Sequence, residues 1–301
     1  MNLLDPRKHN IAETMKPRIR SLKESYFLLA RNKLSLTALI ILAVIILIAV
    51  LAPIIAPHPG DIADKTHIAN KFIAPSWGYL FGTDELGRDI LSRVIYGARV
   101  SLSSAVIAVG IALIIGVPLG AIAGSNGGKI DNVIMRITDV FLGFPPLLLC
   151  IALVALLGVS LSNAVIAIAI SWWPAYTRLV RGQAISIKER QFVLAAETIG
   201  TSKTKIIFKH ILPNTISPII VQASLDMGGV ILTLAALSYL GLGAQLPTPE
   251  WGLMISMGQS YFPDKWWCCI FPGIAIFITV LSFNLLGDAI REILDPKARK
   301  R

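Results

Sequence analysis

The sequence predicts an all-α membrane protein with six transmembrane helices, and three observations support this fold class. First, 54% of the 301 residues are hydrophobic and only 15% are charged, whereas soluble domains carry about 25% charged residues. Second, the apolar residues form long uncharged runs, and roughly 20 such residues cross a bilayer as one helix. Third, the basic residues cluster between these runs, which is how membrane proteins encode orientation.

The apolar runs predict spans at residues 34–56, 100–126, 135–157, 164–180, 216–240 and 266–287. The third and fourth spans come from the charge-free stretch 140–177, which is too long for one crossing and is interrupted at 158–163. This division leaves a tail at 1–33, a polar loop at 57–99, a five-helix core at 100–291 with a polar loop at 181–214, and a tail at 292–301.

The distribution of lysine and arginine predicts that both termini lie in the cytoplasm. With this orientation, cytoplasmic segments hold 22 of the 28 basic residues and external segments hold six. An excess of basic residues in the cytoplasmic loops is the usual determinant of topology. The net charge of +10 therefore reflects membrane orientation, and we expect no nucleic-acid partner.

The loop at 181–214 predicts a docking element. Phe192, Ala195, Ala196 and Ile199 are spaced to share one helical face, and the two alanines make that face shallow. Gly200 is expected just past the helix end. A second helix is expected to begin at Ser202 and to end at Pro213. The alternative is an ordinary amphipathic surface hairpin.

Two acidic residues lie within the apolar spans. Asp226 falls near the middle of the fifth span and Asp139 near the inner end of the third. A carboxylate at this depth must face protein or water, so we expect a place in a pathway or at a subunit interface. The alternative for Asp226 is a polar group satisfied by a neighbouring helix.

Glycines at positions 116, 120 and 124 repeat every four residues in the second span. This spacing lets another helix approach closely. Packing within the same subunit is the favoured interpretation, with contact to a second subunit as the alternative.

Several function classes lack their sequence signatures. No Gly-x-x-x-x-Gly-Lys-Ser/Thr loop is present for ATP, and neither a zinc-protease nor a serine-hydrolase motif occurs. An ion-driven carrier usually needs several ionisable groups at mid-depth and an internal repeat, and neither is found. We therefore expect no enzyme activity, no metal and no cofactor in this chain, and an energy source on other subunits.

The docking loop resembles the cytoplasmic loop of binding-protein-dependent ABC importer permeases. That family's pattern is Glu-Ala-Ala, three residues, Gly, nine residues, Ile-x-Leu-Pro. Ala195, Ala196, Gly200, Leu212 and Pro213 match it at the correct spacing. Leu194 stands where glutamate is expected, and His210 stands where isoleucine is expected.

Three further stretches are similar to the C-type subunit of the dipeptide, oligopeptide and nickel permease family. The first runs from Gly82 to Asp89 in the first loop and contains Asp84, Gly87, Arg88 and Asp89. The second comprises 240–245 and 249–252, and the third comprises 283–288 and 295–297. For the first stretch, the residues suggest a role either in folding the external loop or in contacting a binding protein.

The resemblance implies a type I ABC importer transmembrane domain in the bacterial cytoplasmic membrane. Its expected partners are a homologous second permease, two ATPase subunits that bind ATP and magnesium, an extracytoplasmic substrate-binding protein and membrane lipid. The substrate would be a dipeptide, an oligopeptide or a related solute such as glutathione, an opine or nickel. The residues expected to couple to the ATPase are Phe192, Ala195, Ala196, Glu197, Ile199, Gly200, Leu212 and Pro213.

Overall fold

The computed structural model describes residues 33–62 and 65–294, and the described chain is built mainly of α-helices. The predicted tails therefore lie almost wholly outside the described residues. The helices are α1 (Lys33–Ile55), α2 (Ile90–Asn126), α3 (Gly128–Leu142), α4 (Pro146–Leu157), α5 (Leu161–Lys188), α6 (Gln191–Thr198), α7 (Lys203–Ile206), α8 (Leu212–Tyr239), α9 (Trp251–Gly258) and α10 (Trp267–Leu294).

Helices α2 and α5 form the most closely packed pair. A Cβ placed on Gly116 would lie 2.5 Å from the Trp173 carbonyl oxygen, and one on Gly120 would lie 2.5 Å from that of Thr177. A Cβ on Gly124 would lie 2.6 Å from the Ala184 Cβ. The glycine row therefore packs within this chain. The contacted residues on α5 advance from 173 to 184 as the glycines on α2 advance from 116 to 124. The two helices therefore run side by side in the same direction.

A close approach of this kind lets the α5 side chains bond to the α2 backbone. The Thr177 hydroxyl lies 3.2 Å from the Gly116 carbonyl oxygen and at the same distance from the Trp173 carbonyl oxygen. Lys188, at the end of α5, donates to the Ser125 carbonyl oxygen over 3.0 Å. The C-terminal ends of α2 and α5 therefore lie together.

The third predicted span is wrong as a single straight helix. Two helices occupy this region, α3 and α4, and they meet at an angle of 91°. The cause is local, because Pro146 begins α4 and Pro145 precedes it. A proline disfavours helical geometry in the residue before it and donates no backbone hydrogen bond.

The predicted end of a helix at Pro213 is also wrong. A π-helical turn, Ile207–Ile211, joins α7 to α8, and the helical path continues through Pro213 to Tyr239. Proline is tolerated in the first turn of a helix, where its missing N–H needs no partner. Ser202 precedes α7, but its side chain makes no capping hydrogen bond.

Helix α2 begins at Ile90, ten residues before the start of the predicted second span. Asp89 caps it, accepting a 2.9 Å hydrogen bond from the Ser92 backbone N–H. Helix α5 likewise extends the fourth span at both ends, and α10 extends the sixth to Leu294. Within the described ranges, four helical stretches are long and apolar enough to span a membrane, and the bent α3–α4 pair is a fifth candidate. Helix α5, which contains the predicted fourth span, is not among these candidates.

The close α2–α5 contact predicts different outcomes for two glycine-to-alanine substitutions on the same helix. Gly120→Ala should destabilise the protein by about 1–3 kcal/mol, because the new methyl group overpacks the contact. Gly110→Ala should leave stability unchanged or slightly raised, since nothing lies within 4 Å of its Cβ position. Thermal unfolding of the purified protein in detergent would measure both, and equal melting temperatures would contradict the packing account.

Candidate coupling and pathway sites

Residues 191–211, here called the hairpin, are held to the end of α5 by a small apolar core. Ala184 and Ile187 of α5 pack with Val193, Ile206 and Ile211, and all five side chains are buried. This cluster is separate from the main core of the bundle. Burial of apolar side chains fixes the orientation of the hairpin relative to α5.

The outer face of the hairpin is apolar and exposed. Phe192, Leu194, Ala195 and Ile199 are all exposed, and Ile199 is 82% exposed. Glu197 is exposed beside them. Large apolar side chains exposed outside the membrane-spanning helices favour a protein–protein contact.

Ala196 does not belong to this outer face, so its role in contacting a partner stays a prediction that its burial does not favour. It is only 8% exposed and points inward with Val193, three residues earlier on α6. The absence of a large side chain at this position lets α6 approach the α7 segment. Helical spacing predicts that Ala195 and Ala196 share one face of α6. It does not determine which of the two side chains packs inward.

Gly200 ends α6 as predicted. Its φ of +79° lies in the left-handed region that favours glycine. Its N–H donates to the Glu197 carbonyl oxygen, and the N–H of Thr201 donates to the carbonyl oxygen of Ala196.

After the π-helical turn, Leu212 is half-buried and Pro213 is exposed at the start of α8. His210 lies in that turn, with its ring 6.0 Å from the Phe192 ring.

Asp226 lies halfway along α8 and faces α5. Its Oδ1 accepts a 3.1 Å hydrogen bond from the Gln222 amide. Trp172 and Tyr176 of α5 are its other polar neighbours. Neither Asp226 Oδ2 nor the Tyr176 hydroxyl completes a well-aligned hydrogen bond within the described residues. The predicted neighbouring helix is therefore present, but it does not fully satisfy the carboxylate.

Asp139 occupies a different environment. It accepts a 2.6 Å hydrogen bond from Arg178, and both side chains are more than half exposed. One turn further along α5, Arg181 binds Asp131 of α3, with an Nη2–Oδ2 distance of 2.7 Å. These two ion pairs tie α3 to α5 at the end that carries the hairpin. The structure does not bring Asp139 into the Asp226 cluster.

Residues 56–62 and 65–89, here called the cap, fold over the opposite end of the bundle around a buried charge cluster. Asp84 accepts a 2.8 Å hydrogen bond from Arg88 Nε and lies 3.8 Å from Arg93 Nε. Arg88 and Arg93 are 2% and 1% exposed. Asp61 accepts from the Asp89 N–H over 2.9 Å. These contacts support the folding role for the 82–89 stretch, because Arg88 and Asp89 are turned inward.

Gly87 allows the cap chain to turn tightly. Its φ is +75°, and an added Cβ would lie 1.9 Å from the His67 carbonyl oxygen. Beside this turn, partial burial raises the pKa of Glu85, and the Asp84 carboxylate adds to the effect. Arg93 was not singled out from the sequence, although four of its neighbours on α2 (Ile90, Leu91, Val94 and Ile95) are apolar.

Trp267 connects α10 to the cap, and Trp251 connects α9 to the first turns of α2. The Trp251 indole donates to the Val94 carbonyl oxygen over 3.0 Å, and the Trp267 indole donates to that of Thr83 over 3.2 Å. Arg93 also reaches the Pro247 carbonyl oxygen at 3.4 Å. The segments before α9 and before α10 therefore lie at the cap end.

Comparison with known protein families identifies the chain. Residues 116–300 match the family described as the binding-protein-dependent transport system inner membrane component. The chain belongs to this family. Residues 23–75 match the N-terminal transmembrane domain of oligopeptide transport permease C. The protein is therefore a transmembrane permease component of ABC transport systems in the inner membrane, and it is not their catalytic subunit.

Similar curated proteins extend over nearly the whole chain. The dipeptide transport system permease protein DppC of Alkalihalophilus pseudofirmus is 48% identical over 92% of this chain and 90% of its own length. The probable D,D-dipeptide transport system permease protein DdpC of Escherichia coli K12 is 46% identical over 90% of each chain. The glutathione transport system permease protein GsiD of Escherichia coli O6 is 44% identical over 89% of this chain and 88% of its own.

Solved structures support the fold. An inward-facing structure of the MetNI methionine ABC transporter aligns with a TM-score of 0.55 at 17% identity, covering 67% of this chain and 97% of that one. An amino acid ABC transporter with histidines aligns with a TM-score of 0.51 at 18% identity, covering 69% and 94%. The architecture is that of a type I ABC importer permease.

The buried cap cluster predicts unequal effects for two arginine substitutions on α2. Arg93→Gln should cost about 3–5 kcal/mol, because removing one partner leaves a buried charge uncompensated. Arg99→Gln removes the same charge from an exposed position on the same helix, and should change stability by less than about 0.5 kcal/mol. Thermal unfolding in detergent would compare them. If the two variants melt together, the charge cluster does not stabilise the cap.

Proposed function

We propose that this chain is one half of the membrane pathway of an ATP-driven importer of small peptides. The proposal rests above all on the 48% identity to a dipeptide permease across nearly the full length of both chains. Short peptides with free termini are the proposed substrate. Glutathione, itself a short peptide, is the second candidate, supported by the 44% identical glutathione permease.

We infer six membrane crossings from the positions of the helix ends. Helices α2 and α5 run in the same direction, so the bent α3–α4 pair must return the chain between them. Helix α8 then runs from the hairpin end to the cap end, because Pro247 beyond it contacts Arg93. Helix α10 starts at the cap beside Thr83, and α1 ends there, where the His58 N–H donates to Ser92.

The positive charge then orients the bundle with the hairpin in the cytoplasm and the cap outside. The exposed apolar face of the hairpin is the proposed contact for an ATPase subunit, which binds ATP and magnesium. The cap faces the substrate-binding protein, and a homologous second permease completes the pathway. Closure of the ATPase pair would move the hairpin and α5 together, since they share one apolar core, and so change which side of the pathway is open.

The coupling role predicts that an acidic residue on the hairpin's outer face uncouples transport. Ile199→Asp should abolish ATPase association, because a carboxylate would be desolvated in the apolar contact. Ile68→Asp makes the same change at another exposed isoleucine, in the cap, and should retain association. Co-purification of the ATPase with the permease would measure both. Normal ATPase binding and peptide uptake by Ile199→Asp would refute the docking model.

The proposed orientation predicts the labelling of two engineered cysteines. The three native cysteines are buried, so background reaction should be low. Ser76→Cys in the cap should react with a membrane-impermeant maleimide added to intact spheroplasts. Ser202→Cys in the hairpin should react only after lysis. The opposite labelling pattern would show that the orientation is inverted.

A further inference from the structure

Helix α8 carries a polar face at mid-depth that nothing in the described chain covers completely. Gln222, Asp226, Gly229 and Thr233 are spaced to lie along one side of the helix. Gly229 is exposed, and the other three are partly exposed. An ionisable side chain at this depth is costly against lipid and almost always faces protein or water. This face therefore borders water or another protein.

Asp226 is the charged member of this face and has no counter-charge in the described residues. Its polar neighbours are Gln222, Trp172 and Tyr176, all uncharged at neutral pH. Residues Asp139 and Asp131, in contrast, are each paired with an arginine. An unpaired carboxylate near the middle of a bilayer is costly, and it is expected to bind a cation.

The surroundings of Asp226 suit an ammonium group. A primary ammonium has three N–H donors, and the carboxylate and the Tyr176 hydroxyl both retain unused hydrogen-bonding capacity. The Trp172 ring lies beside them, with its Cζ2 atom 3.9 Å from the Cβ position of Gly229. An indole face attracts a cation. The missing side chain at Gly229 leaves room next to the ring.

We propose that Asp226, with Tyr176 and Trp172, forms a subsite for the α-ammonium group of the transported peptide. This inference rests on the proposed function. Asp226 supplies the charge, the Tyr176 hydroxyl offers a second oxygen to the ammonium N–H groups, and Trp172 flanks the bound cation. Every peptide with a free N-terminus carries this group, so the subsite serves peptides of differing side chains. The occupant is the solute, and a cationic side chain of the second permease is the competing occupant.

The test uses the complete importer, with both permeases and both ATPases, in nanodiscs without nucleotide or binding protein. The probes are the dipeptide Ala-Phe and its N-acetyl derivative, observed by saturation-transfer NMR. Wild type should bind Ala-Phe at least about tenfold more tightly than the acetylated probe, because a hydrogen bond to a charged group is lost on acetylation. Asp226→Asn should abolish this preference, and Asp226→Glu should retain part of it.

Two further variants separate a binding role from a structural one. Tyr176→Phe removes only the hydroxyl group and should reduce the preference for the free amine without affecting assembly. Asp288→Asn makes the same charge change at an exposed position near the end of α10 and should behave as wild type. Equal preference in wild type and Asp226→Asn would overturn the subsite. Failure of Asp226→Asn to assemble with the second permease would assign the carboxylate to the subunit interface and would also overturn it.

Uptake by the wild-type complex in proteoliposomes distinguishes a failure of the Asp226 subsite from a failure of the proposed function. Binding protein, ATP and Ala-Phe are supplied in this assay. If wild type imports Ala-Phe but Asp226→Asn shows the same preference as wild type for Ala-Phe over its N-acetyl derivative, only the subsite is wrong. If wild type imports no peptide at all, the proposed function is wrong and the subsite falls with it.

Discussion

The close contact between α2 and α5 is the constraint on which the rest of the structure depends. Three glycines on α2 bring the two backbones together, leaving no room for a Cβ at any of them. In lipid, helices gain little from hydrophobic association, so close packing and interhelical hydrogen bonds must hold them. The Thr177 hydroxyl supplies such a bond to the Gly116 carbonyl oxygen.

This helix pair links the two ends of the molecule. Helix α2 starts in the buried charge cluster of the cap, where Arg93 lies in its first turn. Helix α5 ends in the apolar core of the hairpin. Between them, α5 also presents Trp172 and Tyr176 to α8. A displacement of the hairpin is therefore transmitted to mid-depth through one packed element, since tightly packed interiors transmit strain.

The polar groups divide into those that the chain satisfies and those that it leaves open. In the cap, the carboxylates of Asp61, Asp84 and Asp89 each accept a hydrogen bond from an arginine or a backbone N–H of the same chain. Asp226 Oδ2, in contrast, has no hydrogen-bond partner within the described residues, and the apolar side chains on the hairpin's outer face are exposed. This asymmetry is expected for one half of a pathway that is finished by other subunits.

The sequence predicted the fold class and most of the helices, because uncharged apolar runs of membrane length have few other structures available. It failed where local geometry decided the outcome. The bend at Pro145 and Pro146 was hidden in a charge-free stretch, and the start of α2 was hidden by charges that the cap buries. Helical spacing selected the residues of the hairpin helix, but which side turns inward depends on the packing of Val193 with Ile206 and Ile211. Tyr176 was not foreseen at the Asp226 site, since no sequence pattern joins α5 to α8.

We propose that this chain conducts solute only as part of an ATP-driven complex. Uptake of radiolabelled dipeptide into proteoliposomes tests it most directly, comparing the chain alone under a proton or sodium gradient with the chain plus second permease, ATPases, binding protein and ATP. We expect uptake only with the complete set of subunits, and none when ATP is replaced by a non-hydrolysable analogue. Gradient-driven uptake by the chain alone would contradict it.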